Sequence, residues 1–284
     1  MKTTGFLFVA VVMLLMCGTA LAAVREIKDI CYYPDESVSN DYQRTRCALD
    51  IRYPEGKTGY ATLVWFHGGG LSGGGKHFIP LNDDGIAQVA VNYRLTPKAG
   101  HPAYIQDAAA AVAWTLKNIG QYGGDPEKVF VAGHSAGGYL SAMVGMDPKW
   151  LAAHGLSPQD LAGIAPVSGQ MTKHFQVKKD QGDTGGQFRP LIDPDAPLYY
   201  VAKSVPPIRL ITGDRRIEWK CRVEENELLA ASLRAAGCSQ VEFYEMGGLD
   251  HGTVYDGSMV LLKQFVNRGR RTPPRAKTVQ GDTP

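Results

Sequence analysis

Val129-Phe130-Val131-Ala132-Gly133-His134-Ser135-Ala136-Gly137-Gly138 joins a short apolar strand to a small-residue helical stretch through a G-x-S-x-G turn. The glycines permit a tight strand-to-helix reversal that lifts the serine oxygen out of the chain's path. The helix N-terminus behind it favours developing negative charge. Ser135 is therefore the candidate nucleophile. Gly70-Leu71-Ser72-Gly73-Gly74 satisfies the same pattern, but glycine continues through Gly75 and no helix-forming run follows, so Ser72 reads as a loop serine.

Upstream, the apolar run Ala61–Phe66 ends directly in His67-Gly68-Gly69-Gly70. Three glycines let backbone amides approach a ligand and stay free of internal partners, which is what an oxyanion site requires. Gly68 and Gly69, with the amide of Ala136, are the expected donors.

Downstream, a base and an acid are needed. Of seven histidines, His67 and His134 lie inside the motifs and read as structural, while His77, His101, His154 and His174 are scattered. His251, in Gly248-Leu249-Asp250-His251-Gly252, follows the strand Val241–Tyr244 and comes last in chain order, as a Ser…acid…His hydrolase demands. The acid belongs in the loop after the strand Ile208–Thr212, within Gly213-Asp214-Arg215-Arg216-Ile217-Glu218. Asp214, nearest the strand end, is preferred; Glu218 and Asp250 remain open. No H-e-x-x-H pattern or clustered His/Asp set points to a metal, and the chemistry expected needs no cofactor.

Around these motifs strands alternate with helices. Leu49–Pro54, Ala61–Phe66, Ala87–Tyr93, Val129–Ala132, Ile164–Val167, Ile208–Thr212 and Val241–Tyr244 read as strands. Ala103–Asn118, a stretch from Ala136, Arg222–Ala236 and Gly257–Arg268 read as helices. The pattern predicts an α/β domain with a mostly parallel sheet covered on both faces, and chemistry beyond the carboxyl ends of the strands. Thr172–Pro206 is polar and rich in Gly, Asp and Pro; it is either a substrate-side insertion or a long surface loop. Trp65, Tyr93, Trp219, Tyr199 and Tyr200 are candidates for a sugar or aromatic-acyl wall, against the plainer reading of core or surface aromatics.

The chain has 284 residues, 44% hydrophobic and 20% charged, a globular composition. A net charge of +2 offers no basic field for nucleic acid, and a mean hydropathy of −0.18 excludes a polytopic membrane protein. No 20–50-residue repeat suggests a solenoid. Met1-Lys2, the apolar run Phe6–Met16 and Ala20-Leu21-Ala22 form a secretory signal pattern with cleavage before Ala23. The apolar run is shorter than the about 20 residues of a membrane span; Met16 before Cys17 has the wrong size for a lipoprotein signal. The expected division is a signal peptide at 1–22, a catalytic domain at 23–268 and a disordered tail at 269–284, in an exported protein free of the membrane after cleavage. Cys31 and Cys47 can bridge in such a chain, whereas Cys221 and Cys238 flank one helix, too far apart for a disulfide.

The motifs together resemble the α/β-hydrolase fold, and within it the hormone-sensitive-lipase-like esterases. The resemblance rests on His67-Gly68-Gly69-Gly70, Asn92-Tyr93-Arg94-Leu95, His101-Pro102-Ala103, Gln106-Asp107, Gly124-Asp125-Pro126, Gly133–Gly138, Gly213-Asp214 and Asp250-His251-Gly252, in family order from about residue 47 to 266. It implies metal-free carboxylic-ester hydrolysis with Ser135 as nucleophile, His251 as base and Gly68, Gly69 and Ala136 as oxyanion donors. The family acid usually sits three residues after the loop glycine, where this chain has Arg216. The helical cap of larger members has no counterpart in the about 25 residues between the cleavage point and Leu49, so little or no cap is expected. The compact form is similar to bacterial acetyl-xylan and feruloyl esterases, which implies small-molecule or polysaccharide ester substrates. An arylformamidase or amidase on the same fold is the alternative. A non-catalytic binding module is disfavoured, since serine and histidine are both present.

Overall fold

Tyr60–Phe66 (YATLVWF) is buried at every position, because this strand runs through the middle of a sheet covered on both faces. The computed structural model describes residues 23–81 and 85–269; the expected signal peptide and the 270–284 tail lie outside the described residues. In chain order the elements are β1 (Val24–Cys31), α1 (Asp41–Arg46), β2 (Ala48–Pro54), β3 (Tyr60–Phe66), β4 (Ala87–Val91), α2 (Ala103–Asn118), β5 (Gly124–His134), α3 (Ala136–Met146), α4 (Pro148–Ala152), β6 (Gly163–Val167), α5 (Phe175–Asp180), β7 (Ile208–Thr212), α6 (Arg222–Ala235), β8 (Val241–Glu245) and α7 (Val254–Gly269).

The strands form one eight-stranded sheet in the order β1-β2-β4-β3-β5-β6-β7-β8. β2 runs antiparallel to both β1 and β4. Every other pairing is parallel, as the alternation of strands and helices predicts. Side-chain alternation divides the apolar residues into two layers. Val64 and Phe66 of β3 face a core built with α2, α3 and α6, including Val112, Leu116, Leu140, Met143, Leu229 and Leu233. Leu63 and Trp65 face the other way, against Val254, Leu262, Phe265 and Val266 of α7 and the loop residues Ile79 and Leu81. The carboxyl ends of β3, β5, β7 and β8 therefore open at one edge of the sheet, where the motif loops converge.

Three local departures from expectation have physical causes. β1 is an edge strand with mostly exposed side chains, so its apolar signal is weak. The last helix starts at Val254 rather than Gly257. The Asp250 carboxylate accepts from the Gly252 and Thr253 amides and opens that helix early. Gly257 lies inside it because a side chain there would collide with Leu249. Cys31 and Cys47 do not bridge; all four described cysteines are free. Cys31 lies opposite Ala48 in the ladder, and the Tyr32 amide donates to the Cys47 carbonyl. Adjacent residues point to opposite faces, so the two sulfurs diverge.

The first part of the 172–206 segment packs into the domain rather than lying on its surface, while much of 181–195 is exposed. Thr172, Lys173, His174, Gln176, Val177 and Lys178 are buried. Asp180 at the end of α5 accepts from the His101 amide at 2.9 Å and the Tyr104 hydroxyl at 3.2 Å. Asp195 meets His101 Nε2 at 3.0 Å. These contacts clamp the segment onto the start of α2 and carry Phe175 to the sheet edge.

Candidate active site

Ser135 sits between β5 and α3 with φ 56° and ψ −114°, a conformation that non-glycine residues adopt only where the surroundings enforce it. Here the enforcement is steric and hydrogen-bonded. A side chain at Gly137 would enter the Phe66 carbonyl, and one at Gly138 would lie 2.8 Å from Gly169 Cα. The Ser135 amide donates to the Val167 carbonyl at 2.8 Å. The expected strand–turn–helix context is thus present, and Ser135 Oγ stands at the tip of the turn.

His251 meets it. The Ser135 hydroxyl donates to His251 Nε2 at 2.9 Å, and His251 Nδ1–H donates to Glu218 Oε1 at 2.7 Å. That tautomer follows from the carboxylate, which can only accept at Nδ1. The Glu218 side chain is wholly shielded from solvent. Its Oε1 also accepts from the Trp219 amide, and its Oε2 accepts from the Ser168 hydroxyl at 2.6 Å and the Gly213 amide at 3.2 Å. Burial alone would raise its pKa. The hydrogen bonds from His251, Ser168 and Trp219 outweigh burial and bring it down to about 2.

This corrects the preferred acid. Asp214 does not touch His251. Its carboxylate takes the Arg216 guanidinium, the Arg216 amide and the Gly248 amide. The Arg216 side chain holds it well below the usual carboxylate range. The Ile217 and Glu218 amides both donate to the Asp214 carbonyl, so the chain folds back after β7 and returns Glu218 to the strand end. Asp250 is likewise engaged, with the Gly252 and Thr253 amides and the Thr253 hydroxyl. Asp214 and Asp250 are loop-shaping groups that hold the segment carrying His251.

The His-Gly-Gly-Gly loop lies against the serine turn. A Cβ built on Gly68 would stand 3.4 Å from Ser135 Cβ and 3.2 Å from the His134 carbonyl. Gly69 has φ 109°, and a side chain there would strike the Gly73 backbone. Among the described residues, the amides of Gly68, Gly69 and Ala136 donate to no protein acceptor. Arg46, which lies outside every motif, clasps this loop. Its Nη2 donates to His67 Nε2 at 3.1 Å and to the Gly74 carbonyl at 2.9 Å, and its Nε donates to the Tyr93 carbonyl at 2.9 Å. His67 Nδ1–H is thereby left to donate to the Gly68 carbonyl at 2.6 Å. Tyr93 donates its hydroxyl to the His67 carbonyl and stacks on the imidazole. Burial brings His67 down to about 4, so it is neutral at pH 7. His134 is also brought down to about 4 by burial, and its Nε2–H donates to the His251 carbonyl at 2.7 Å. Both motif histidines are structural, as read from the sequence.

Ser72 is exposed, its hydroxyl turned to the Gly69 carbonyl. Of the aromatic candidates, Trp65 and Tyr93 are core residues, and the Tyr200 hydroxyl closes on the Pro194 carbonyl. Tyr199 is exposed and packs on Tyr200. Trp219 does reach the site, with its ring stacked on His251 at a centroid distance of 3.9 Å. Phe175 adds a second wall, 3.1 Å from where a Gly70 side chain would begin. Ser168, the other partner the sequence hid, has φ 43° and is fully buried. Among the described residues no group of three or more His, Cys, Asp or Glu is placed to hold a metal, and no helix is long and apolar enough to cross a membrane. A serine hydroxyl, an oriented imidazole, a buried carboxylate and free amides together can perform nucleophilic attack on a carbonyl with stabilisation of the resulting oxyanion.

Known proteins bear on this geometry. The family model BD-FAE matches residues 49–153. Esterase LipC of Mycobacterium tuberculosis is 29% identical over 207 residues, 66% of this chain and 50% of that protein. Esterase LipQ of the same organism is 26% identical over 181 residues, 57% of this chain and 42% of LipQ. The matched region thus spans half or less of the length of these curated relatives. A solved structure described as a truncated form of a carbohydrate esterase from gut microbiota superposes with a TM-score of 0.70 at 19% identity, covering 87% of this chain and 97% of that one.

Proposed function

Taking as premise that this chain is an α/β-hydrolase related to esterases, we propose that it is a serine carboxylesterase working through Ser135, His251 and Glu218. The observation that carries this reading is the unbroken relay from Ser135 Oγ through His251 to Glu218, at 2.9 and 2.7 Å. His251 Nε2 takes the hydroxyl proton as Ser135 Oγ attacks the ester carbonyl. The negative charge that develops on the carbonyl oxygen is met by the amides of Gly68, Gly69 and Ala136. Glu218 keeps Nδ1 protonated and stabilises the imidazolium. His251 then gives its proton to the departing alkoxide, which leaves as alcohol. In the second half His251 activates a water that attacks the acyl-enzyme, and Ser135 recovers its proton.

The substrate proposed is a short-chain acyl ester or an ester of a carbohydrate. Phe175 and Gly70 narrow one side of the site, which favours a small acyl group there. The expected lack of a helical cap leaves room for a bulky alcohol. The name of the carbohydrate esterase neighbour points the same way. Export belongs to this proposal too, supported by the apolar N-terminal run and the small residues before Ala23.

Hydrolysis of p-nitrophenyl acetate, butyrate and octanoate by the chain from Ala23 onward, beside Ser135→Ala, tests the reading. Serine-dependent turnover falling from acetate to octanoate is expected. A folded protein without ester turnover, or a Ser135→Ala variant as active as the parent, overturns it.

A further inference from the structure

Trp219 touches both partners of the nucleophile. Its backbone amide donates to Glu218 Oε1 at 2.8 Å, the same oxygen that receives His251 Nδ1–H. Its indole lies face to face on the His251 imidazole, with centroids 3.9 Å apart and planes 16° from parallel. The ring is itself held in place. Phe188 meets it edge-on at 6.1 Å and Phe175 at 6.4 Å, while the Arg222 guanidinium carbon lies 5.7 Å from its centroid. Arg222 is fully buried and bonded to the Ser168 carbonyl, so this support is rigid. Lys178 Nζ donates to the Gly186, Gln187 and Arg189 carbonyls and so fixes the loop that presents Phe188. An exposed loop tryptophan has no packing need for so many supports; Trp219 is 37% exposed.

We propose that Trp219 is a positioning residue that stabilises His251 as the imidazolium formed during turnover. The proposal rests on the assignment of His251 as the base of Ser135. An indole face attracts a cation through its quadrupole and attracts a neutral imidazole far less. The stack therefore strengthens as the Ser135 proton arrives on Nε2, and an interaction that strengthens in the transition state raises kcat. The same ring covers one face of the imidazole and stops it rotating away from the line between Ser135 and Glu218. Charged or titratable groups around His251 include Glu218 at Nδ1, His134 with its ring 5.0 Å away, the Asp250 carboxylate on the adjoining residue and the Arg222 guanidinium against the indole.

Trp219→Phe, Trp219→Tyr and Trp219→Leu separate an electrostatic stack from a steric cover. With p-nitrophenyl acetate, kcat is expected to fall about 2- to 30-fold in Trp219→Leu, with KM unchanged and the melting temperature kept. Trp219→Phe and Trp219→Tyr should recover most of it, because they restore a π face. If the leucine variant melts early, Trp219→Met supplies similar volume without a π face. Leucine or methionine performing as well as phenylalanine overturns the proposal in favour of simple cover. A rise in KM with kcat retained overturns it in favour of a substrate wall. A parent enzyme lacking Ser135-dependent turnover instead overturns the assignment of the base, a distinct failure.

Discussion

Glu218 Oε1 stands 2.7 Å from Nδ1 of His251, whereas Asp214, four residues earlier, gives both carboxylate oxygens to Arg216 and Gly248. The two acids leave the same strand end and do opposite things. One faces the imidazole; the other braces the loop that carries it. Glu218→Gln should lower kcat by about 10³–10⁴-fold, since an amide no longer enforces the Nδ1–H tautomer. Asp214→Asn should cost at least about 100-fold less than that and act mainly on melting temperature. Steady-state kinetics and thermal melts of both variants decide it; the reverse ranking would restore Asp214 as the acid.

Arg46 reaches the His-Gly-Gly-Gly loop from α1 and bonds both His67 and Gly74. Without it His67 Nε2 loses its donor and the tautomer that bonds the Gly68 carbonyl is no longer selected. Arg46→Met is expected to lower kcat about ten- to a hundredfold with little change in KM, below the about 10²–10³-fold loss for removing an oxyanion donor itself. Arg46→Lys should recover only part, because an ammonium cannot span the three acceptors. An unchanged kcat in Arg46→Met would free the loop from this clasp.

His67 and His134 are neutral in the fold, brought by burial from 6.5 to about 4. Between pH 6.5 and pH 4 the unfolded chain binds protons that the folded chain does not. Stability is therefore full above pH 6.5 and declines as pH falls towards 4. Guanidinium unfolding at pH 7, 6, 5 and 4 should show this fall, and His134→Asn should flatten it. An equal slope in that variant would assign the acid sensitivity elsewhere.

Gly137 has the Phe66 carbonyl where a side chain would begin. Gly137→Ala should destabilise by about 1–3 kcal/mol through forced backbone shifts. Because the shift falls between the serine turn and β3, kcat should drop even in the fraction that folds. Gly56→Ala, at a left-handed position with open space around it, is the comparison: strain without collision, and no loss of kcat per folded molecule.

The strand β3 and the Val129–Ala132 part of β5 were legible because buried parallel strands are continuous apolar runs bounded by glycine. Ser135 and its turn were legible because the G-x-S-x-G pattern is a local steric demand, stated within five residues. His251 was legible from chain order and its place after β8. The segments Asn92-Tyr93-Arg94 and Gln106-Asp107 meet in the fold: Asp107 takes the Arg94 amide and guanidinium together with the Tyr33 hydroxyl.

What the sequence by itself determined is the sheet, the serine turn, the glycine loop and the histidine, since each follows from short-range sterics or periodic burial. Only the tertiary structure decided which carboxylate faces His251, what clasps the glycine loop, and that Trp219 lies on the imidazole. Those choices depend on how the chain turns back after β7 and on side chains separated by up to 50 residues, as Ser168 and Glu218 are. Spacing along the chain carries no record of such contacts, because which carboxylate meets His251 is set by where the fold aims it, not by its distance from a glycine.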